Sequence, residues 1–202
     1  WGDWIPEDGK FTVVGKSVKS TLFSVPDCQA IVKKAVVEKL KEKYKTDWFD
    51  ETGASYTIQV SILKDVVTLA IDTSGSGLYK RGYRAQNMGA PLRETMAAAL
   101  VTLSRYRGRD PFCDPFCGSG TIVIEAALIA RNRAPGLLRS FAAQKWKTLP
   151  SDCWSDAAEE AMDREFHGSY ELWGGDMDPR AVKIAQANAE QAEVEAVPLQ
   201  MH

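Results

Sequence analysis

A short apolar segment of the sequence runs into a glycine-rich turn and then into an apolar helix. The sequence predicts a strand over residues 111–116, a turn over residues 117–120, and a helix from Thr121 to about Arg131. The two glycines of the turn permit a close approach of the backbone to a ligand, and the helix N-terminus favours anionic or polar groups. This strand–turn–helix unit therefore predicts a parallel α/β sheet with a ligand site at the turn.

Three kinds of ligand use such a turn, and the residues around it separate them. A phosphate-binding loop ends in Gly-Lys-Ser/Thr, but Gly120 is followed here by Thr121 and Ile122. A dinucleotide-binding loop carries a third glycine, and that position is Val123. The remaining ligand is a nucleoside without a pyrophosphate, for which Asp114 at the strand end would accept a hydrogen bond from an ammonium group. In the structural alternative, Asp114 caps the turn and the glycines serve packing.

A second acidic residue, Asp176, closes the next predicted strand, over residues 172–176, before a helix over residues 179–192. In open α/β sheets, ligands lie across the carboxyl ends of the strands, where an acid accepts hydrogen bonds from both ribose hydroxyls. Asp178 is the alternative, but its place before Pro179 predicts a helix N-cap. The 62 residues from Asp114 to Asp176 exceed one helix crossover, so we expect residues 134–168 to be an insertion on the substrate side.

The other predicted elements divide the chain into two parts. Strands over residues 11–18, 56–63 and 66–71, with a helix from Pro26 to Tyr44, predict a small β-α-β-β unit. Residues 75–90 are rich in glycine and basic residues and predict a linker. From residue 91 onward, helices and strands alternate, which predicts a doubly wound parallel sheet. The first of these helices is predicted to begin at Pro91 and to bury Leu92, Met96, Ala99, Leu100 and Leu103, and an acidic helix over residues 151–166 is predicted to have Ser151 as its N-cap.

Composition limits the classes of function. No apolar run approaches the roughly 20 residues of a membrane helix, and four cysteines make no disulfide framework, so a reducing cytoplasm is expected. Cys113 and Cys117 lack a second pair at zinc spacing and the chain has two histidines, so no metal site is expected.

Charge is distributed unevenly along the chain. Residues 1–110 hold 17 basic and 13 acidic residues, a balance of +4, whereas residues 111–202 hold 8 and 14, a balance of −6. The first half can therefore face a polyanion, and the second half as a whole cannot. The cluster of Lys80, Arg81 and Arg84 concentrates three cations within five positions. We expect this cluster to face water or a polyanion.

Residues 114–121 resemble the first motif of S-adenosylmethionine-dependent methyltransferases that act on amino groups of nucleic acid bases. With the strings at residues 78–84, 90–94, 110–122 and 124–127, the chain is similar to the bacterial THUMP-domain RNA methyltransferases that modify guanine at its exocyclic amine in large-subunit ribosomal RNA. The resemblance implies part of a THUMP domain, of α+β class, over residues 1–74. It also implies the first half of a Rossmann-like class I methyltransferase domain, of α/β class, over residues 91–202.

The resemblance also implies S-adenosyl-L-methionine as cofactor and RNA, specifically large-subunit ribosomal RNA, as partner. The expected RNA-binding residues are Lys80, Arg81 and Arg84. The expected cofactor-binding residues are Asp114, Phe116, Cys117, Gly118, Ser119, Gly120, Thr121, Asp176 and Met177.

The sequence departs from the family pattern in two respects. It contains no Pro-Pro pair, and thus no Asn/Asp-Pro-Pro-Tyr motif to hold the target amine, and the N-terminal ferredoxin-like segment of the family is missing. We therefore expect a chain that outlines a cofactor site without completing a methyltransferase, and no catalytic residue is assigned. The alternatives are a DNA amino-methyltransferase with the same loop, an RNA-binding module without catalysis, and a methyltransferase of small molecules or proteins. A basic α+β unit before the loop favours structured RNA.

Overall fold

The computed structural model describes residues 1–84, 86, 89, 91–194 and 199–201. Contacts divide the chain into two compact units, one of residues 1–76 with 141–151 and one of residues 77–140 with 152–202. The division after residue 76 falls inside the predicted linker. Residues 141–151 differ from the expectation, because they pack with the first unit although they follow the start of the second in sequence.

The first unit has the predicted β-α-β-β order. Its elements are β1 (Lys10–Val18), α1 (Val25–Tyr44), β2 (Ser55–Leu63) and β3 (Val66–Asp72). The strands form one sheet of order β1-β2-β3, in which β1 and β2 are parallel and β2 and β3 antiparallel. The predicted hairpin turn is confirmed: Lys64 and Asp65 have φ of 48° and 63°, the left-handed backbone that a two-residue turn between antiparallel strands requires.

The core of the first unit includes a segment distant in sequence. Alternate side chains of β2, beginning with Tyr56 and Ile58, are buried, as the period of two in a strand requires. Trp146, which follows a short 3₁₀ helix (Ala142–Lys145), stacks on Tyr56 with ring centroids 4.7 Å apart. Its Nε1–H donates to the carbonyl of Ser55 at 3.2 Å. Residues 141–151 thus complete the hydrophobic core of the first unit.

The second unit is built on a parallel sheet, as predicted. Its strands are β4 (Phe112–Asp114), β5 (Leu172–Asp176) and β6 (Leu199–Met201), in the order β4-β5-β6. Its helices are α2 (Glu94–Leu103), α3 (Thr121–Ala130), α4 (Cys153–Asp163) and α5 (Pro179–Gln191). Among the helices of the described residues, none is long and apolar enough to cross a membrane.

Helix α3 lies at the centre of the second unit. It is buried on nearly all sides, including Val123, Ile124 and Ala127, which agrees with its almost uninterrupted apolar sequence. Leu172 from β5 and Ala185 from α5 belong to the same cluster. This packing fixes the N-terminus of α3 beside the ends of the strands.

Two predicted helices differ from the structure. Helix α2 begins at Glu94, and its buried residues are Glu94, Ala97 and Val101. The predicted buried face was wrong: Leu92, Met96, Ala99, Leu100 and Leu103 are exposed, because α2 packs on α3 through small residues and a buried glutamate. Helix α4 begins at Cys153 with Asp152, not Ser151, at its N-cap, and it ends at Asp163.

Candidate functional site

The turn between β4 and α3, here called the glycine loop (residues 114–121), is held in place by β5. The N–H of Cys117 donates to the carbonyl of Gly175 at 2.7 Å, and the N–H of Gly118 donates to Oδ2 of Asp176 at 2.9 Å. Gly120 occupies the N-cap of α3, so no side chain caps this helix. The N–H groups of the first turn of a helix have no partner within the helix. The loop therefore brings backbone donors and the Asp176 carboxylate together at one edge of the sheet.

The two glycines of the loop have different surroundings. Both have left-handed φ angles, 54° at Gly118 and 82° at Gly120. A Cβ at Gly120 would lie 3.0 Å from Cβ of Ala185 and 3.2 Å from Cδ1 of Ile124, whereas a Cβ at Gly118 would meet nothing within 4 Å. Gly120 thus permits close packing of α3 on α5, and Gly118 leaves open space over the backbone.

Two carboxylates lie at the carboxyl ends of the adjacent strands β4 and β5. Oδ1 of Asp114 accepts from the N–H of Phe116 at 3.3 Å, and Oδ1 of Asp176 accepts from the N–H of Asp178 at 2.9 Å. Burial raises the pKa of Asp114; the hydrogen bond from Phe116 opposes this rise and the charge of Asp176 adds to it. Neither carboxylate forms a salt bridge in the part of the chain that the structure describes. Their arrangement suits a ligand with a positive charge and hydroxyl groups.

Two large apolar side chains flank these carboxylates in sequence. Phe116 is 86% exposed and Met177 is 81% exposed, far more than such side chains usually are. Asp178 caps α5, with Oδ1 accepting from the N–H of Arg180 at 2.9 Å. The predicted N-cap role of Asp178 is thereby confirmed, and Asp176 stands at the end of β5 as predicted.

Arg84, predicted to contact RNA, lies against the glycine loop. Its Nε donates to Oε1 of Glu94 at 2.9 Å, its Nη1 to Oγ of Ser119 at 3.1 Å, and its Nη2 to Oγ1 of Thr121 at 2.9 Å. The side chain is only 14% exposed. A single arginine therefore ties the start of α2 to the start of α3.

Arg81 is also directed inward. Its Nη2 lies 3.4 Å from Oε2 of Glu125, which is 2% exposed, and the hydroxyl of Tyr83 donates to Oε1 of the same glutamate at 3.1 Å. Burial raises the pKa values of Tyr83 and Glu125, and Arg81 opposes the rise at Glu125. Lys80 is exposed. The expectation that all three cations face water or a polyanion was thus wrong for Arg81 and Arg84, because each meets a buried glutamate.

Sequence reasoning missed the polar residues that support the loop. Nδ2 of Asn188, a residue 1% exposed on α5, donates to the carbonyl of Ser119 at 3.0 Å. Glu94, Glu125 and Asn188 all interrupt the buried, alanine-rich faces of helices. A buried polar residue is normally hydrogen-bonded. A polar residue within an apolar helix face is therefore the sequence signal that would have pointed to these three residues.

The two cysteines near the glycine loop have different surroundings. Cys117 is buried and its pKa is raised to about 11, mainly by burial and next by the charges of Asp114 and Asp176, so its thiol stays protonated at neutral pH. Cys113 is exposed. In the ranges that the structure describes, no group of three or more His, Cys, Asp or Glu side chains could hold a metal ion.

The chain matches two protein-family models and is similar to curated proteins. Residues 81–199 match the family model described as "RMKL-like, methyltransferase domain", and residues 1–72 match the THUMP domain model. The chain is 52% identical over 195 residues to the candidate RNA methyltransferase YpsC of Bacillus subtilis, covering 95% of this chain and 51% of that protein. It is 41% identical over 143 residues to the ribosomal RNA large subunit methyltransferase K/L of Vibrio parahaemolyticus, covering 68% and 20%. The chain therefore spans about half or less of the length of these relatives.

Solved structures share the fold over the whole chain. A protein of Listeria monocytogenes, described as a predicted N6-adenine-specific DNA methylase, has a TM-score of 0.95 at 52% identity, and this chain covers 54% of it. The candidate methyltransferase SMU.472, crystallised with SAH, has a TM-score of 0.91 at 39% identity with the same coverage. TrmN from Thermus thermophilus, at 17% identity and a TM-score of 0.62, shares the fold alone. The methyltransferase family model matches more than half of this chain. The chain therefore belongs to the RMKL-like methyltransferase domain family, and it carries THUMP sequence ahead of that domain.

Proposed function

We propose that this chain is the cofactor-binding part of an S-adenosylmethionine-dependent RNA methyltransferase, joined to part of its RNA-binding domain. The full-length protein would methylate the exocyclic amine of guanine in large-subunit ribosomal RNA, which places the reaction in the cytoplasm. The observation that carries the proposal is the pair Asp114 and Asp176 at the carboxyl ends of adjacent strands, where Asp176 accepts from the N–H of Gly118 and the space over Gly118 is open. The THUMP match and the RNA methyltransferase names of two relatives support RNA as the substrate.

The residues at this edge fit S-adenosylmethionine. Each oxygen of Asp176 accepts one backbone hydrogen bond and keeps acceptor capacity for a ribose hydroxyl. Asp114 would accept from the ammonium group of the methionine moiety. Phe116 and Met177, both exposed, would cover apolar parts of the cofactor. Cys117, Ser119, Gly120 and Thr121 would contribute through the loop that they form.

Bound S-adenosylmethionine supplies an electrophilic methyl group on a sulfonium. The amine of guanine is a weak nucleophile because its lone pair is delocalised into the ring. Positioning and electrostatic stabilisation therefore account for most of the rate in such a reaction. This chain's residues would bind and orient the cofactor, and acceptors of an Asn/Asp-Pro-Pro-Tyr type, absent from this sequence, would hold the amine. The target base would first have to leave its stack.

DNA adenine methylation is the second candidate, and the description of the Listeria structure favours it. Both reactions would use the same glycine loop, so the loop does not separate them. The THUMP domain match favours RNA, because a small domain ahead of the catalytic domain suits recognition of RNA by shape and backbone.

The test is methyl transfer by the full-length natural protein. It would be incubated with labelled S-adenosylmethionine and with either genomic DNA or ribosomal RNA from cells that lack the gene, and the methylated nucleoside would be identified by mass spectrometry. We expect N2-methylguanosine in large-subunit RNA. Gly118→Val, which places a branched side chain in the open space over the loop, is the control that should not bind cofactor. N6-methyladenine in DNA, with no product in RNA, would contradict the proposal.

A further inference from the structure

A concave site lies within the second unit, where the linker meets the start of α2. This cavity, here called the linker pocket, has a volume of about 410 Å³, within the range of roughly 300–1,000 Å³ of small-ligand pockets. It lies next to the glycine loop because one of its lining residues, Arg84, also donates to Ser119 and Thr121. Its lining includes Tyr79, Lys80, Arg84, Pro91, Leu92 and Arg93.

The charges of the linker pocket are only partly neutralised. Arg84 pairs with Glu94 across 2.9 Å, and these two lining residues cancel each other. Lys80 and Arg93 are both exposed, and neither forms a salt bridge within the described ranges of the chain. The pocket therefore carries two uncompensated positive charges, in a domain whose sequence is acidic beyond residue 110.

The pocket also contains an aromatic ring paired with an arginine. The guanidinium carbon of Arg93 lies over the ring of Tyr79, 5.0 Å from its centroid, which is a cation–π contact. Unpaired bases of RNA stack on aromatic rings and on guanidinium planes. Pro91 and Leu92 provide apolar contact beside it.

We propose that the linker pocket binds one unpaired nucleotide of the RNA substrate, next to the nucleotide that is methylated. Its phosphate is held by Lys80 and Arg93, and its base stacks on the Arg93–Tyr79 pair. Arg84 connects this subsite to the glycine loop, so that the bound RNA is held beside the cofactor. The inference rests on the proposed function in one respect, that the substrate is RNA.

The test uses the full-length protein, with unmethylated large-subunit ribosomal RNA and S-adenosylmethionine as separate probes. Lys80→Ala, Arg93→Ala, Tyr79→Ala and Lys80→Glu would be compared with Lys183→Ala, which removes an exposed cation from α5. We expect Tyr79→Ala to weaken RNA binding at least about fivefold. Loss of a phosphate contact should make the log–log slope of affinity against salt shallower by about 0.7. Affinity for S-adenosylmethionine should stay unchanged in all variants.

The possible outcomes distinguish failure of the nucleotide subsite from failure of the proposed function. If the wild-type protein binds RNA and the pocket variants match Lys183→Ala in affinity and slope, the nucleotide subsite is refuted while the RNA substrate stands. If cofactor affinity falls in parallel with RNA affinity, the pocket supports the glycine loop instead. If the wild-type protein binds no RNA, the proposed function itself fails. Lys80→Glu keeps the test valid if Arg93→Ala unfolds, because Lys80 is exposed and its replacement leaves the core intact.

Discussion

In the glycine loop, the carboxylate of Asp114 accepts a hydrogen bond from a backbone N–H. The carboxylate of Asp176, at the end of β5, accepts two backbone hydrogen bonds, from the N–H groups of Gly118 and Asp178. In the linker, by contrast, the guanidinium groups of Arg81 and Arg84 each meet a buried glutamate. The first arrangement leaves charge available to a ligand, and the second uses charge to join elements of the fold. The comparison shows that charged residues close in space differ in their surroundings: the carboxylates at the glycine loop have no cationic partner among the described residues, whereas Arg81 and Arg84 of the linker join parts of the fold.

The strongest test of the supporting role is Glu125→Ala. It would leave Arg81, whose side chain is 14% exposed, without its buried counter-charge. Breaking a buried ion pair by removing one partner costs about 3–5 kcal/mol. We expect a loss of this size in the stability of the second unit, measured by amide hydrogen exchange along α3. Glu42→Ala, at an exposed pair with Lys39, is the control and should change stability little. Equal effects of the two variants would show that the linker arginine is not structural.

The next largest effect is expected for Arg84→Lys. Lysine keeps the charge opposite Glu94 but loses the planar fork that reaches Ser119 and Thr121 together. Loss of hydrogen bonds to a charged group costs about 1.5–3 kcal/mol of stability. Because those two residues belong to the glycine loop, affinity for S-adenosylmethionine should fall about tenfold, at roughly 1.4 kcal/mol per tenfold change. Calorimetric titration would measure it, and Lys80→Ala should leave it unchanged. An unchanged affinity of Arg84→Lys for S-adenosylmethionine would show that the linker arginine does not support cofactor binding by the glycine loop.

The same contrast explains which features the sequence could predict. The strand, turn and helix around the glycine loop are specified by residues that are neighbours in sequence, so they follow from local pattern, as does the Asp178 cap. The partners of Arg81 and Arg84 lie 44 and 10 residues further along the chain, and they become neighbours only through packing. Trp146 is a similar case, since its stacking on Tyr56 joins residues that no local pattern connects. The buried face of α2 was predicted wrongly, because the small Ala97 is buried whereas the larger Leu100 is exposed.

Asp176→Ala tests the binding role of the loop. Removing a charged acceptor of the ribose hydroxyls should weaken S-adenosylmethionine binding by about 1–3 kcal/mol. Asp178→Ala is the matched control two residues away: it removes the N-cap of α5, which costs about 1 kcal/mol of stability, and it should leave cofactor affinity unchanged. If both variants bind the cofactor equally well, Asp176 does not hold the ribose.

The smallest effect is the pH dependence that Asp114 should give to cofactor binding. Burial raises the pKa of Asp114, and the charge of Asp176 adds to the rise. Only the ionised carboxylate can pair with an ammonium group, so affinity is present above the raised pKa and is lost as pH falls through it. The weakening should therefore begin at a higher pH than for an ordinary aspartate, whose pKa is about 3.9. Measurement of cofactor affinity at several pH values between mildly acidic and neutral would show this pH dependence. Asp114→Asn should flatten the profile, and Asp176→Asn should move it to lower pH by removing the neighbouring charge. A profile that Asp114→Asn leaves unchanged would assign the ammonium group to another acceptor and leave Asp114 as a cap of the turn.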